Sequence, residues 1–100
     1  MTIKLPDFRT CDGSRNFAEF PETVFFDVLR DHAAKLKGAL VTEFITDWVT
    51  EAWLDFEYCG QKFSVNNEFG DYWFFVEDPN CPDEILLEVA EHFRGLLEND

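Results

Sequence analysis

The sequence predicts a two-layer α+β domain, in which a four-stranded antiparallel meander lies between an N-terminal and a C-terminal helix. Two patterns carry this prediction. Apolar and polar residues alternate through residues 52–76, as they do in half-buried strands. Apolar residues recur at helical spacing through 25–36 and again through 85–97. The predicted order is therefore α-β-β-β-β-α, within a single domain that spans residues 1–100.

The first twenty residues show no regular period. We predict an irregular N-terminal arm over 1–20, in which residues 2–5 are compatible with a short edge strand. Phe17 and Phe20 indicate that this arm packs against the domain.

The first helix is predicted to begin at Pro21, because proline suits the first helical position. Glu22 then lies at the positive end of the helix dipole. Gly38 is a typical helix terminator and marks the end of the pattern.

A first strand is predicted over residues 39–46, where two alternations compete. Leu40 and Phe44 form one candidate core-facing pair, and Val41 and Ile45 form the other. We favour Leu40 and Phe44, because the second pair would bury Glu43 between its members.

The central hairpin turns at residues 59–60, where glycine supplies the positive φ that a two-residue turn needs. Both faces are then consistent with one register, which is stronger support than either strand alone. The predicted pairs are Phe56 with Phe63, Leu54 with Val65, and Glu57 with Lys62.

A second turn is predicted within residues 67–70. It pairs Asn66 with Asp71, Val65 with Tyr72, and Phe63 with Phe74. The predicted inner face comprises Leu54, Phe56, Phe63, Val65, Tyr72, Phe74 and Val76.

The last helix is predicted to begin at Pro82, with Asp83 and Glu84 in its first turn. Its apolar stripe comprises Ile85, Leu86, Val89, Ala90, Phe93, Leu96 and Leu97. We place both helices on the inner face of the sheet, and one helix on each face is the competing arrangement.

The outer face of the predicted sheet carries large aromatic side chains beside carboxylates. Soluble monomers rarely leave a contiguous apolar patch bare, and tryptophan with a polar rim is typical of interfaces. The predicted partner-binding residues are Trp53, Asp55, Glu57, Trp73 and Phe75. The alternatives are that the arm or a helix covers them, or that they form a homodimer interface.

Charge is divided unevenly along the chain. Residues 1–37 hold six acids and six bases, whereas residues 38–100 hold 15 acids and two bases, which accounts for the formal net charge of −13. Such a field repels nucleic acid and anionic membranes and attracts basic proteins. The alternative is that the acids serve only to keep a phenylalanine-rich protein in solution.

The sequence offers no pattern typical of an enzyme, so we predict no catalytic residue, no metal site and no cofactor. His32 and His92 lack metal-ligand spacing, and neither serine lies in a nucleophile motif. The three cysteines are odd in number and form no CxxC, which favours free thiols and a cytoplasmic setting. No run of 18 apolar residues and no signal peptide is apparent.

By charge and predicted fold, the chain resembles small acidic inhibitor or immunity-type proteins that neutralise basic toxins or nucleases. That resemblance implies a protein-binding module that docks on a basic partner through its acidic, aromatic sheet face. The alternative is a structural homodimer or subunit without a catalytic role.

Overall fold

The structure is a computed structural model that describes residues 8–10, 13–49, 51–67 and 70–97. It confirms an α+β fold with an antiparallel sheet and two helices. In chain order the elements are β1 (Phe8–Arg9), β2 (Arg15–Pro21), α1 (Phe26–Lys35), β3 (Leu40–Thr46), β4 (Ala52–Tyr58), β5 (Gln61–Asn66), β6 (Asp71–Val76) and α2 (Asp83–Leu97).

The sheet is larger than the four-stranded meander that the sequence predicts. Its strand order is β1-β2-β6-β5-β4-β3, and every described pairing is antiparallel. Strands β3 to β6 form the predicted meander. Strand β2 adds a fifth full strand beside β6, and the two-residue β1 extends that edge. The predicted strand count is therefore wrong, although the fold class is right.

Strand β2 lies in the arm that we predicted to be irregular. A bulge between Asn16 and Ala18 interrupts its alternation, so the sequence lacks a clean period of two. The Asn16 amide, Nδ2, spans the irregularity by donating to the carbonyls of Ala18 (3.2 Å) and Phe74 (3.0 Å). Phe17 and Phe20 are buried in the core. The possible strand at residues 2–5 lies outside the described residues.

Helix α1 begins at Phe26, five residues after the predicted start, and Pro21 instead ends β2. The connection between them is held in place from two sides. The Tyr72 hydroxyl donates to the Val24 carbonyl at 2.7 Å, and the Thr23 hydroxyl donates to the Leu97 carbonyl at 3.0 Å. These contacts hold a non-helical segment where the proline and glutamate pattern favours a first helical turn.

The β4–β5 hairpin has the predicted register, including Phe56 opposite Phe63 and Leu54 opposite Val65. The β5–β6 register differs from the prediction by two residues, because Val65 faces Phe74 and Phe63 faces Val76. Asp71 and Tyr72 pair with β2 rather than with β5. A shift of two residues keeps every side chain on its face.

The side chain of Asn67 is anchored within the connection between β5 and β6, which is longer than we predicted. Asn67 accepts a hydrogen bond from the Ala52 N–H (3.0 Å) and donates to Glu22 (2.6 Å). These bonds hold Asn67 beside the start of β4, beyond the point where β5 and β6 pair. The turn that we predicted within residues 67–70 is present, because the Gly70 N–H donates to the Asn67 carbonyl at 3.1 Å, but the strands begin to pair at Asn66 and Trp73 rather than at Asn66 and Asp71.

Strand β3 follows neither predicted alternation. A bulge between Val41 and Glu43 changes which face the residues occupy, so Val41 and Phe44 are partly buried on the inner side. Leu40, which we expected in the core, is 64% exposed. The bulge also lets Glu43 point outward, which removes the burial cost on which the prediction rested.

Both helices pack on the inner face of the sheet. Phe93 of α2 contacts Phe74 and Phe56, with ring centroids 4.7 Å and 5.8 Å apart. Arg30 of α1 lies over the Phe44 ring at 5.0 Å. All seven predicted inner-face residues are buried. The arrangement with one helix on each face is excluded, and no described helix covers the outer face.

Candidate protein-docking face

The outer face presents a row of side chains that crosses five strands. Residues that face each other directly across antiparallel strands share one side of the sheet. In order from β3 to β2, the row is Ile45, Trp53, Asn66, Trp73 and Glu19. Two indole rings therefore lie on either side of Asn66 near the middle of the face.

The five predicted partner-binding residues all lie on this face. Trp53 is 41% exposed, and the other four are half-buried. Asp55 and Phe75 both pair with Ser64. They therefore form a second row of side chains across the sheet, beside the row that contains the two tryptophans. The rings of Trp73 and Phe75 are 6.5 Å apart. The structure thus brings the acidic and aromatic members together on two strands separated only by β5.

A hydrogen bond fixes the most exposed of these rings. The Trp53 indole N–H donates to the Asp55 carboxylate at 2.6 Å, on the same strand two residues away. A charge-assisted bond of this length holds the indole in one orientation. Docking against the ring would therefore require little further ordering of the side chain.

Carboxylates dominate the electrostatics of the face. The acids that point outward are Glu19, Glu43, Asp55 and Glu57. Lys62 faces Glu57 and is the one basic residue among the described cross-strand partners of β4. Glu19 and Glu43 are exposed and lie at opposite sides of the sheet. The negative charge is therefore distributed around the aromatic residues as a rim.

Exposed apolar side chains concentrate on the β3 side of the molecule. Among the described residues, the large exposed ones are Phe25, Val28, Leu40, Ile45, Trp48, Val49 and Trp53. They belong to β3, the loop that follows it, the start of β4, and α1 with the residue that precedes it. Ile45, which is 57% exposed and faces Trp53 directly, was not among the predicted partner-binding residues, although the favoured alternation of β3 already placed it on the outer face.

The loop between β3 and β4 is ordered by its own side chains. Asp47 accepts hydrogen bonds from the N–H groups of Val49 (2.8 Å) and Glu51 (3.0 Å). Trp48 adopts a φ of 62°, which is unusual for a bulky residue. Its ring lies 5.8 Å from Phe44 and 6.2 Å from Phe25. These hydrogen bonds fix the Asp47 carboxylate and the main chain at Glu51.

An open cavity of about 440 Å³ lies where this loop meets the outer face. The ends of β3, β4 and β5 contribute its walls. The lining residues are Ile45, Thr46, Asp47, Glu51, Ala52, Trp53, Asn66 and Asn67. The cavity thus combines an aromatic wall, two carboxylates and a floor that includes buried asparagines.

The two histidines join the helices to each other. Their rings stack at 4.0 Å, and each Nε2 lies within hydrogen-bond distance of the other residue's carbonyl, at 2.7 Å for His32 and 2.6 Å for His92. Because a carbonyl only accepts, each Nε2 donates. Burial lowers the pKa of His92, which favours the neutral ring. This arrangement, which we call the histidine clasp, accounts for both side chains structurally.

The described residues offer little else for chemistry. Among them, no three histidine, cysteine or acidic side chains are grouped to hold a metal ion. Cys59 is exposed, whereas Cys81 is buried and has its pKa raised to about 11, mainly by desolvation. Cys11 lies outside the described residues. No helix in the described ranges has the length and hydrophobicity to cross a bilayer.

Comparison of the chain with protein-family models, with curated proteins and with solved structures finds no match. The case for a function therefore depends on the outer face itself.

Proposed function

We propose that this protein is a non-catalytic binding module that docks on a basic protein through its outer sheet face. Inhibitors and immunity-type proteins act in this way. The residues that would carry the contact are Trp53, Asp55, Glu57, Trp73 and Phe75.

The supporting observation is a group of aromatic side chains on the outer face that lies among carboxylates and that no described helix covers. Trp53 and Trp73 lie on one face with Phe75 beside them, while both helices pack on the opposite face. Tryptophan is the residue type most enriched among binding hot spots, and charged rims are typical of interfaces. The face therefore has the composition expected of a docking surface.

The two residue types would have different roles. Burial of the indole rings would supply most of the affinity, because apolar surface removed from water is the main favourable term in association. Asp55, Glu57 and the exposed acids would attract a cationic protein and raise the association rate. Salt would then weaken the electrostatic attraction more than the burial of the indole rings.

Charge favours a basic partner over a second copy of the chain. Two outer faces brought together would place Glu43, Asp55 and Glu57 of one copy near the same acids of the other. Like charges across an interface are unfavourable. A homodimer through this face would need high salt to screen that repulsion, and sedimentation at low and high ionic strength would reveal it.

The proposal is tested by affinity capture from the source cells with immobilised protein, followed by identification and purification of the captured protein. We expect a captured protein of net positive charge whose retention is lost with Trp73→Ala. Glu84→Gln is the matched control, because Glu84 is exposed on α2, which packs on the other side of the sheet. Equal retention by wild type and Trp73→Ala would contradict the proposal.

A further inference from the structure

The cavity beside Trp53, which we call the β3–β4 cavity, lies within the concentration of exposed apolar side chains on the β3 side of the molecule. Of the large exposed side chains, Ile45 and Trp53 form its walls, and Trp48 and Val49 follow directly in the adjoining loop. Its volume of about 440 Å³ falls in the range of roughly 300–1,000 Å³ that is typical of ligand pockets. It is thus large enough for a long side chain of a docked protein.

The aromatic wall is suited to a cation. The N–H edge of the Trp53 ring is occupied by the Asp55 carboxylate, and 41% of the residue is exposed. A cation within about 6 Å of an indole face is attracted by the ring quadrupole, and tryptophan is the strongest of the aromatic residues in this respect.

The charges around the cavity favour the same ligand. The described lining contributes the carboxylates of Asp47 and Glu51 and no basic side chain. Asp47 is fixed by the two backbone N–H groups whose hydrogen bonds it accepts, so its charge does not have to be ordered on binding. Asp55 does not line the cavity but adds a third carboxylate at the N–H edge of the Trp53 ring. A positive group entering the cavity would face negative charge on more than one side.

A planar guanidinium fits these features better than an ammonium group. It stacks on aromatic faces, is more weakly hydrated, and offers five N–H donors to carboxylates and to amide oxygens. The lining supplies carboxylate acceptors in Asp47 and Glu51. We propose that the β3–β4 cavity is the receptor for an arginine side chain of the basic partner, stacked on Trp53 and paired with Glu51.

This inference rests on the proposed function, but it can be tested without the partner. The probe is N-acetyl-arginine amide, and the matched control probe is N-acetyl-citrulline amide, its neutral isostere. Nuclear magnetic resonance follows the indole N–H signal of Trp53 and the amide signals of the lining residues during titration at low ionic strength. We expect saturable shifts with the arginine probe at these positions and at least five-fold weaker binding of the citrulline probe.

Variants assign the effect to the cavity. Glu51→Gln and Trp53→Leu should each weaken binding of the arginine probe at least three-fold, with Ile45 as the reporting amide in the second variant. Glu84→Gln is the matched control for Glu51→Gln, because Glu84 is exposed on α2, which packs on the other side of the sheet. It should bind the probe as the wild type does.

Three results would overturn the inference. The two probes could bind equally well, the arginine probe could shift the signals of the acidic residues of α2 as much as those of the cavity, or Glu51→Gln could leave binding of the arginine probe unchanged. Occupation of the cavity by a second copy, seen as concentration-dependent shifts of the same signals without a probe, would also overturn it. Each of these leaves the proposed function standing if partner retention still depends on Trp73. Conversely, arginine binding with partner retention unaffected by Trp73→Ala would reject the proposed function alone.

Discussion

The inner and outer faces of the sheet carry aromatic residues from the same strands but differ in what covers them. On β4, Phe56 is fully buried beneath α2, whereas Trp53, three residues earlier and on the other face, is 41% exposed. On β6, Phe74 is buried against Phe93, while Phe75 is only half-buried. The difference shows that aromatic content alone does not mark the core. Substitutions on the two faces should therefore separate stability from binding.

The largest effect is expected on the inner face. Replacement of Phe56, Phe63 or Phe74 by alanine should lower the free energy of unfolding by about 3–5 kcal/mol, because each leaves a cavity among rings that are in contact. Since small domains have only about 5–15 kcal/mol of stability, such variants should be close to unfolding. Denaturant titration followed by circular dichroism measures the loss. Wild-type stability in two of the three would refute the inner-face assignment.

On the outer face the same kind of truncation should act on binding. Trp53→Ala or Trp73→Ala should weaken binding of the basic partner by about 2 kcal/mol, the size of a hot-spot contribution, and leave folding intact. Calorimetric titration measures the affinity, and the same denaturant titration measures stability. If both variants unfold, the two faces do not differ in the way proposed.

The acids of the outer face should affect rate more than affinity. Asp55→Asn keeps an oxygen that can accept the Trp53 N–H, and Glu57→Gln keeps the shape of its side chain, so both remove charge alone. The double variant should associate several-fold more slowly at low salt and show a flatter salt dependence. Stopped-flow measurements over a range of ionic strength provide the test. An unchanged slope of rate against salt would show that steering comes from elsewhere in the chain.

The smallest effect concerns the histidine clasp, which links the helices that cover the inner face. The folded-state pKa of His92 is lowered by burial, so the unfolded chain binds more protons once the pH falls below about 6.5. Stability from this group is therefore complete above that pH and is lost as pH falls through the lowered value. In His92→Gln, which keeps a side-chain N–H donor, the free energy of unfolding should change less between pH 7 and pH 5. Identical pH profiles would contradict this, since the carboxylates are common to both proteins.

Local patterns predicted the central hairpin, whereas irregular and non-local features were missed. The β4–β5 register follows from a two-residue turn and uninterrupted alternation, both visible in the sequence. The bulges at Asn16–Ala18 and Val41–Glu43 each break the period of two, which hid β2 and reversed the assignment of Leu40. The β5–β6 register depends on β2, which is distant in the chain.

The candidate site also divides into residues that local patterns predict and features that they do not. Trp53, Asp55, Glu57, Trp73 and Phe75 were correctly placed on one face, because a shift of two residues preserves the face. Ile45 was left out of the predicted site although the favoured alternation put it on the outer face. The β3–β4 cavity was not predicted, since it depends on the hydrogen bonds of Asp47, about which an alternating pattern contains no information.

The central claim is that the outer face binds a basic protein in the cell, and site-specific photo-cross-linking tests it even while the partner is unidentified. A photoreactive benzoyl-phenylalanine would replace Phe75 on the outer face and, in a separate control protein, Glu84 on α2. The account predicts an adduct from position 75 with a protein of net positive charge, weakened by Asp55→Asn and Glu57→Gln together, and none from position 84. An adduct from position 84 without one from position 75, or an adduct from position 75 only with a second copy of the chain, would contradict it.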